Sequence, residues 1–374
     1  MRLITSIVWC VLINGFGLPP ATYCQTTGNS EIRSDCRPSF PYKDGWLGGD
    51  AGYSIPLAPG RSLWLFGDSF IGNASAKTRS GARFVRNSIA ISSCRSETGW
   101  QIDYYWRNQD GPHPTAFFES HIKNYWYWPL DGFVWQNHLY VAIAKLKNRP
   151  SEEVFSFKTV GVLLAKVSNL AAPPNRWRIQ YLKLTDDPAL YPGSSIVLSG
   201  NHAYFFTVHE TRKHQQMILT RVALDQLDRP STNFEYLARD KSWKHGLRAD
   251  AALGVIETGH SELSVRYHPE SKQWLAVSGG GFLSNQIMIR TAPELTGPWS
   301  AQQAVYEFPE MDSGMAERDP DTWCYAVKEH NEFGSPGKLL VTYACNSFKL
   351  GKLISNMNIY RPQSVTVALP NRPE

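Results

Sequence analysis

Four acids, Asp50, Asp68, Asp131 and Glu262, stand at comparable places along a chain of 374 residues. Only 19% of the residues are charged, against about 25% in an average soluble domain. Repeated placement of acids is therefore informative. Two carboxylates across a small cleft can hydrolyse a glycosidic bond. One, protonated, assists the leaving oxygen; the other, ionised, activates water or attacks the sugar. Close acids and burial push their pKa values apart. Arg86, Asn87 and Asn346 could bind sugar hydroxyls. Trp46, Tyr53 and Trp128 could stack on sugar faces, and His209, Glu210 and His260 complete the candidate binding set. Each also has a plainer reading. A Gly-Asp at a strand end is a common turn, the Tyr125-Trp-Tyr-Trp128 run suits a core equally well, and both histidines suit structural hydrogen bonding.

Something must bring residues so far apart in sequence together. Short alternating runs recur, including Ser62-Leu-Trp-Leu-Phe66, His138-Leu-Tyr-Val-Ala-Ile143, Ala203-Tyr-Phe-Phe-Thr-Val208, Gln273-Trp-Leu-Ala-Val277 and Lys338-Leu-Leu-Val-Thr-Tyr343. Each reads as a strand. Each follows another strand that opens near Asp50, Asp131, Ser194, Glu262 or Thr322, at spacings of 81, 63, 68 and 60 residues. Five weak repeats of this size predict an all-β fold, a five-bladed β-propeller of four-stranded antiparallel blades over residues 44–368. A β-sandwich with a second domain is the competing architecture. In a propeller, the starts of first strands and the ends of second strands share one face. That rule gathers Asp50, Asp131, Ser194 and Glu262 with Asp68, His209, Glu210 and Asn346 at one mouth.

Residues 1–24 read as a secretory signal peptide. Met1-Arg2 is basic, Leu3 to Leu18 is largely apolar, and Ala21 to Gln25 brackets a cleavage site. Lipoprotein anchoring at Cys24 is disfavoured because Ala21 stands where a Leu-like residue is expected. Residues 25–43 form an N-terminal extension. Export leaves Cys36, Cys94, Cys324 and Cys345 in an oxidising compartment. Four cysteines allow three connectivities; the expectation is Cys36–Cys94 with Cys324–Cys345. The net charge of +5 comes without a basic run, which argues against nucleic acid as a partner. No second apolar stretch of spanning length follows, so the exported chain is expected to be soluble. No cofactor or catalytic metal is expected. Channel carboxylates and carbonyls could give a structural calcium ion oxygen ligands, but no dedicated loop is present.

Gly48-Gly-Asp-Ala-Gly-Tyr-Ser-Ile-Pro-Leu57, Leu63-Trp-Leu-Phe-Gly-Asp-Ser-Phe70 and Arg86-Asn-Ser88 resemble the opening of a bacterial domain-of-unknown-function group that includes endo-D-arabinanases. Glu262-Leu-Ser-Val-Arg-Tyr267 and Thr291-Ala-Pro-Glu-Leu-Thr-Gly-Pro-Trp299 resemble the wider clan of five-bladed propeller glycosidases. The resemblance spans roughly residues 44–365. It implies three acids on blades one, two and three, and Asp50 and Asp131 match the first two by position. Blade three opens with Ser194-Ser195 instead, so Asp68, Glu210 or Glu262 would supply the third. The expected function is an exported glycoside hydrolase acting on a cell-wall or plant-type polysaccharide, with an arabinofuranose-containing glycan in view. The alternative is a non-catalytic carbohydrate-binding propeller, and a protein-interaction propeller ranks third.

Overall fold

The computed structural model describes residues 36–369 except 112, 150–156, 211–214, 313 and 315–318. The signal-peptide reading and Cys24 lie outside these residues. Five antiparallel sheets follow one another along the chain, and each begins with its innermost strand. The inner strands are Trp46–Ala58, Tyr125–Trp135, Leu190–Ser199, Leu263–His268 and Thr322–Glu329. Neighbouring inner strands pack against one another, and the fifth packs against the first, so the blades close into a five-bladed propeller.

The alternating runs form the second strand of every blade, and the packing explains their composition. A blade is covered on both faces, so both sets of alternating side chains must be apolar. Leu63 and Leu65 enter the core between blades one and two, whereas Trp64 and Phe66 face the closing seam of the ring. Leu139, Val141 and Ile143 face blade one, while Tyr140 and Ala142 face blade three. Phe205 and Phe206 divide between the two sides of blade three in the same way. The aromatic richness of the chain is thus largely spent on filling the wedges between blades.

The blades are not uniform. Blades two and four have four strands, and blade one adds a short strand, Arg83–Val85, to its second strand. Blade three carries further short strands, and blade five has three strands among the described residues. The edge of the third strand of blade five is covered by the extension. Arg37 donates to the Ser364 carbonyl, and Ser364 Oγ donates to the Pro38 carbonyl at 2.7 Å. Covering an edge strand removes a site of unwanted pairing.

Cys36–Cys94 ties the extension to blade one, and Cys324–Cys345 joins directly opposed residues of blade five. Both expected pairings are therefore formed. Arg79 closes the seam further. Its five N–H donors reach the carbonyls of Leu47, Leu353, Asn356 and Ile359 and the Tyr42 hydroxyl, at 2.6–3.0 Å. A fully buried guanidinium is tolerated because every donor is satisfied.

Candidate active site at the mouth of the ring

The inner strands of blades one, two, three and five each break register along their length. The breaks fall at Gly49/Ala51 and Ala51/Tyr53, Pro129/Gly132, Pro192/Ser195 and Tyr325/Lys328. A bulge bends its strand and re-aims the side chain beside it. In blade one it aims Asp50. Ala51 follows at φ 67°, a left-handed conformation that costs a non-glycine residue about 1–2 kcal/mol. Opposite, Gly67 has no side chain, and a Cβ there would sit 2.3 Å from Asp50 Oδ1. The Phe66-Gly-Asp68 sequence thus makes room for one acid while supplying the next.

Asp50 Oδ2 accepts a hydrogen bond from the Tyr325 hydroxyl at 2.6 Å. Burial, then the neighbouring Asp68 charge, push the Asp50 pKa well above the ordinary range; Glu262 adds to this and the Tyr325 bond opposes it. Asp68 accepts from Trp128 Nε1 at 3.0 Å and pairs with Arg86 at 3.3 Å. Burial raises its pKa to about 6 against the opposing pull of Arg86 and Trp128. Glu262 accepts from the Ala326 backbone N–H at 2.6 Å, and burial raises its pKa to about 7. Ala326 itself sits at φ 59°. One bulge in blade five therefore holds two acids, Asp50 through the Tyr325 side chain and Glu262 through the Ala326 amide. Asn346 Nδ2 donates to the Tyr325 oxygen at 3.3 Å and steadies it.

Asp131 does not join this group. It is buried, and its oxygens accept from the backbone N–H groups of Gly132 at 2.9 Å and Ile196 at 2.8 Å. Arg266 and Lys328 lie 3.5 and 4.0 Å from it. This carboxylate ties blade two to blade three. Lys328 is a hub beneath the mouth. Its ammonium donates to the carbonyls of Leu130 and Ser194 and lies over the Tyr53 ring at 4.3 Å.

Three of the expected binding residues are enclosed within the fold. Trp46 is enclosed, stacked on Tyr104 at 4.2 Å, with its N–H on Ser88. Tyr53 lies under Lys328 in the ring wall. Asn87 is fully enclosed and bonds to the backbone of Phe118 and Tyr127. Trp128 is half-buried beside Asp68, and Arg86 lies over the Trp126 ring at 4.3 Å. In blade three His209 bonds to Gln216 and Glu210 is exposed. His260 precedes blade four, half-buried, with burial lowering its pKa. Sequence reasoning missed Tyr325 and Lys328. The repeat that located the acids also marks the start of blade five, but a tyrosine was not among the residue types sought there.

Among the described residues, the one trio of ligand-type side chains with atoms within 4.8 Å of one another is Glu310, Cys324 and Cys345. Its two cysteines are bonded to each other, so it offers no thiolate pair to a metal. The channel carboxylates are not gathered tightly enough to make such a trio.

The five-bladed ring thus brings Asp50, Asp68 and Glu262 together at one mouth. The chain belongs to the family described as Domain of unknown function (DUF5005), whose model matches residues 39–368. Among solved structures it is similar to a candidate hydrolase from Bacteroides ovatus, with a TM-score of 0.67 and 17% identity over 86% of each chain. It is more distantly similar to an endo-arabinase from Bacteroides thetaiotaomicron, with a TM-score of 0.42, 10% identity, and coverage of 87% of this chain and 95% of that one. The α-L-arabinofuranosidase of Podospora anserina gives a TM-score of 0.44 at 10% identity, over 90% and 94% of the two chains. At these identities the likeness is one of fold. No curated protein matches the chain.

Proposed function

We propose that the protein is an exported glycoside hydrolase of a cell-wall or plant-type polysaccharide, with an arabinofuranose-containing glycan as the first substrate to test. Asp50 and Asp68 are its catalytic pair. The observation that carries this reading is the unequal setting of two carboxylates on adjacent strands. Asp50, half-buried and facing other acids, holds a proton and serves as general acid. Asp68, paired with Arg86 and Trp128, is ionised above about pH 6 and serves as base or nucleophile. Glu262 adds a charge that keeps Asp50 protonated. Arg86 orients Asp68 and reaches sugar hydroxyls. This chemistry draws on protein carboxylates and water alone. The two disulfides and the leader sequence support export to an oxidising compartment.

The test is hydrolysis of arabinans, galactans, xylans and mannans by the wild type, Asp50→Asn and Asp68→Asn. Each substitution should lower kcat by about a thousandfold or more while leaving the fold intact, as expected when one member of a mutually dependent catalytic pair is lost. Full activity in both variants would remove the assignment.

A further inference from the structure

The disulfide Cys324–Cys345 lies beside the bulge that holds Asp50 and Glu262. The inner and second strands of blade five pair residue for residue from Thr322 with Ser347 to Tyr325 with Ala344. The next pair is Lys328 with Thr342, so Ala326 and Val327 face Tyr343 alone and the inner strand bulges. The crosslink stands one rung before that break. Each half-cystine is followed directly by residues of the site. After Cys324 come Tyr325, which donates to Asp50 at 2.6 Å, and Ala326, whose N–H donates to Glu262 at 2.6 Å. After Cys345 comes Asn346, which donates to the Tyr325 oxygen at 3.3 Å. Blade five has three strands among the described residues, where blades two and four have four, so its sheet is a narrower frame for the bulge. The sulfurs are enclosed. Cys324 is 4% and Cys345 2% exposed, and a Glu310 carboxylate oxygen lies within 4.8 Å of both sulfurs. Burial and a neighbouring carboxylate disfavour the thiolate through which disulfides exchange, so the bond is shielded once formed.

We infer that Cys324–Cys345 is a positioning element of the active site, and that the chain becomes a competent hydrolase only once this disulfide has closed. This rests on the glycosidase reading above. A bulge interrupts the ladder and leaves its extra residue unpaired, so the strand is weakly held there. A covalent tie one rung away fixes the separation and register of the two strands. It thereby fixes where the Tyr325 hydroxyl and the Ala326 amide stand, and these two groups set the Asp50 and Glu262 carboxyls. Closure removes two protons and two electrons from the thiols. They pass to a disulfide donor of the oxidising compartment, which leaves as two thiols. In the open form both thiols stay within the same apolar core, so the blade keeps its packing and loses the constraint. Cys36–Cys94 has no such part. It ties the extension to the third strand of blade one, where the Cys94 N–H donates to the Gly60 carbonyl beyond the end of the inner strand far from Asp50.

The test uses the full secreted chain carrying Cys36→Ala/Cys94→Ala, so that Cys324–Cys345 is the disulfide whose state is varied. The chain is unfolded and refolded with oxidised glutathione or with a dithiol reductant, and part of the reduced sample is then reoxidised. Two readouts are taken: hydrolysis of arabinan, galactan, xylan and mannan, and amide hydrogen exchange over residues 322–329. The oxidised chain should match wild type in kcat. The reduced chain should keep its fold by circular dichroism, lose about tenfold or more in kcat and exchange the Ala326 amide about tenfold faster, as expected when hydrogen bonds to charged groups loosen. Reoxidation should restore both. Tyr325→Phe should cost the reduced form less than the oxidised form, because residues acting through one contact are not additive. Cys324→Ala/Cys345→Ala in the otherwise native chain repeats the comparison without refolding and should behave as the reduced form. Equal kcat and equal exchange in the two redox states would overturn the inference and leave the catalytic reading standing. Exchange that quickens alike in every blade would also overturn it, since the disulfide would then merely stabilise the whole fold. If no form of the chain cleaves any of the four glycans, the glycosidase reading falls. Faster exchange confined to 322–329 would then still uphold the hold of the disulfide on the bulge, and equal exchange would remove that as well.

Discussion

Asp50 is held between two opposing influences, and each can be removed separately. Glu262 disfavours its ionised form; the Tyr325 hydroxyl favours it. As a general acid Asp50 works protonated, so activity falls when pH rises past its pKa. Asp68 works ionised, so activity falls below about pH 6. Glu262→Gln removes a negative neighbour, lowers the Asp50 pKa and should move the alkaline fall of kcat/KM to lower pH. Tyr325→Phe removes a donor to the carboxylate and should move that fall to higher pH. Losing one hydrogen bond to an ionisable group should also lower kcat by about ten- to a hundredfold. Measured pH profiles of the two variants must shift in opposite directions; a common direction would exclude Tyr325 as the residue that positions and tunes Asp50. The acids were legible in the sequence because their type and repeat position announced them. Tyr325 was not, because its part depends on which hydroxyl faces Asp50 across the closed ring, a contact 275 residues long.

At the scale of the element, the inner-strand bulges decide which side chain faces the channel. In blade one the bulge and its neighbour Gly67 form a matched pair. Gly67→Ala should displace the Asp50 carboxyl, since the new Cβ would meet Oδ1 at 2.3 Å. The expected outcome is loss of hydrolysis with at most about 1–3 kcal/mol lost from stability, the usual cost of overpacking. Kinetics together with urea unfolding would separate the two effects, and a fully active Gly67→Ala enzyme would show that the carboxyl has other room. The strands themselves were readable from their alternation. The bulges were not, because a one-residue register shift leaves the apolar pattern of the partner strand unchanged while turning the acid toward or away from the channel.

Across the whole molecule, the ring is held at its centre by a buried cation as well as by apolar wedges. Lys328 belongs to blade five yet binds carbonyls of blades two and three and lies 4.0 Å from Asp131. Lys328→Met would leave those acceptors without their donor and Asp131 with Arg266 as its remaining cation. About 3–5 kcal/mol should be lost, the usual consequence of breaking a buried pair. Burial lowers the Lys328 pKa from 10.5 to about 8. Between those values the unfolded chain binds more protons than the folded one, so wild type should gain stability relative to the variant as pH rises through this window. Chemical unfolding at pH 7, 8.5 and 10 checks both the size and the sign. A variant as stable as wild type at pH 7 would show that the carbonyls and Asp131 are satisfied without it.

The sequence by itself determined the class of the fold. Alternating runs apolar on both faces need cover on both faces, and their recurrence at similar spacing favoured five stacked blades over a sandwich with a second domain. It also determined that Asp50, Asp68 and Glu262 belong to one face, because strand direction follows from the order of strands within a repeat. Only the tertiary structure decided what each acid is bonded to. Asp131 has the same residue type and repeat position as Asp50, yet its oxygens are taken by Gly132 and Ile196. Likewise Trp46 and Asn87 are spent inside blade one, whereas Phe282 and Phe348 remain at the mouth. The reason is physical. Composition fixes how much aromatic and acidic side chain there is to place, but enclosure depends on what the neighbouring blade brings against each position. That is settled when the ring closes.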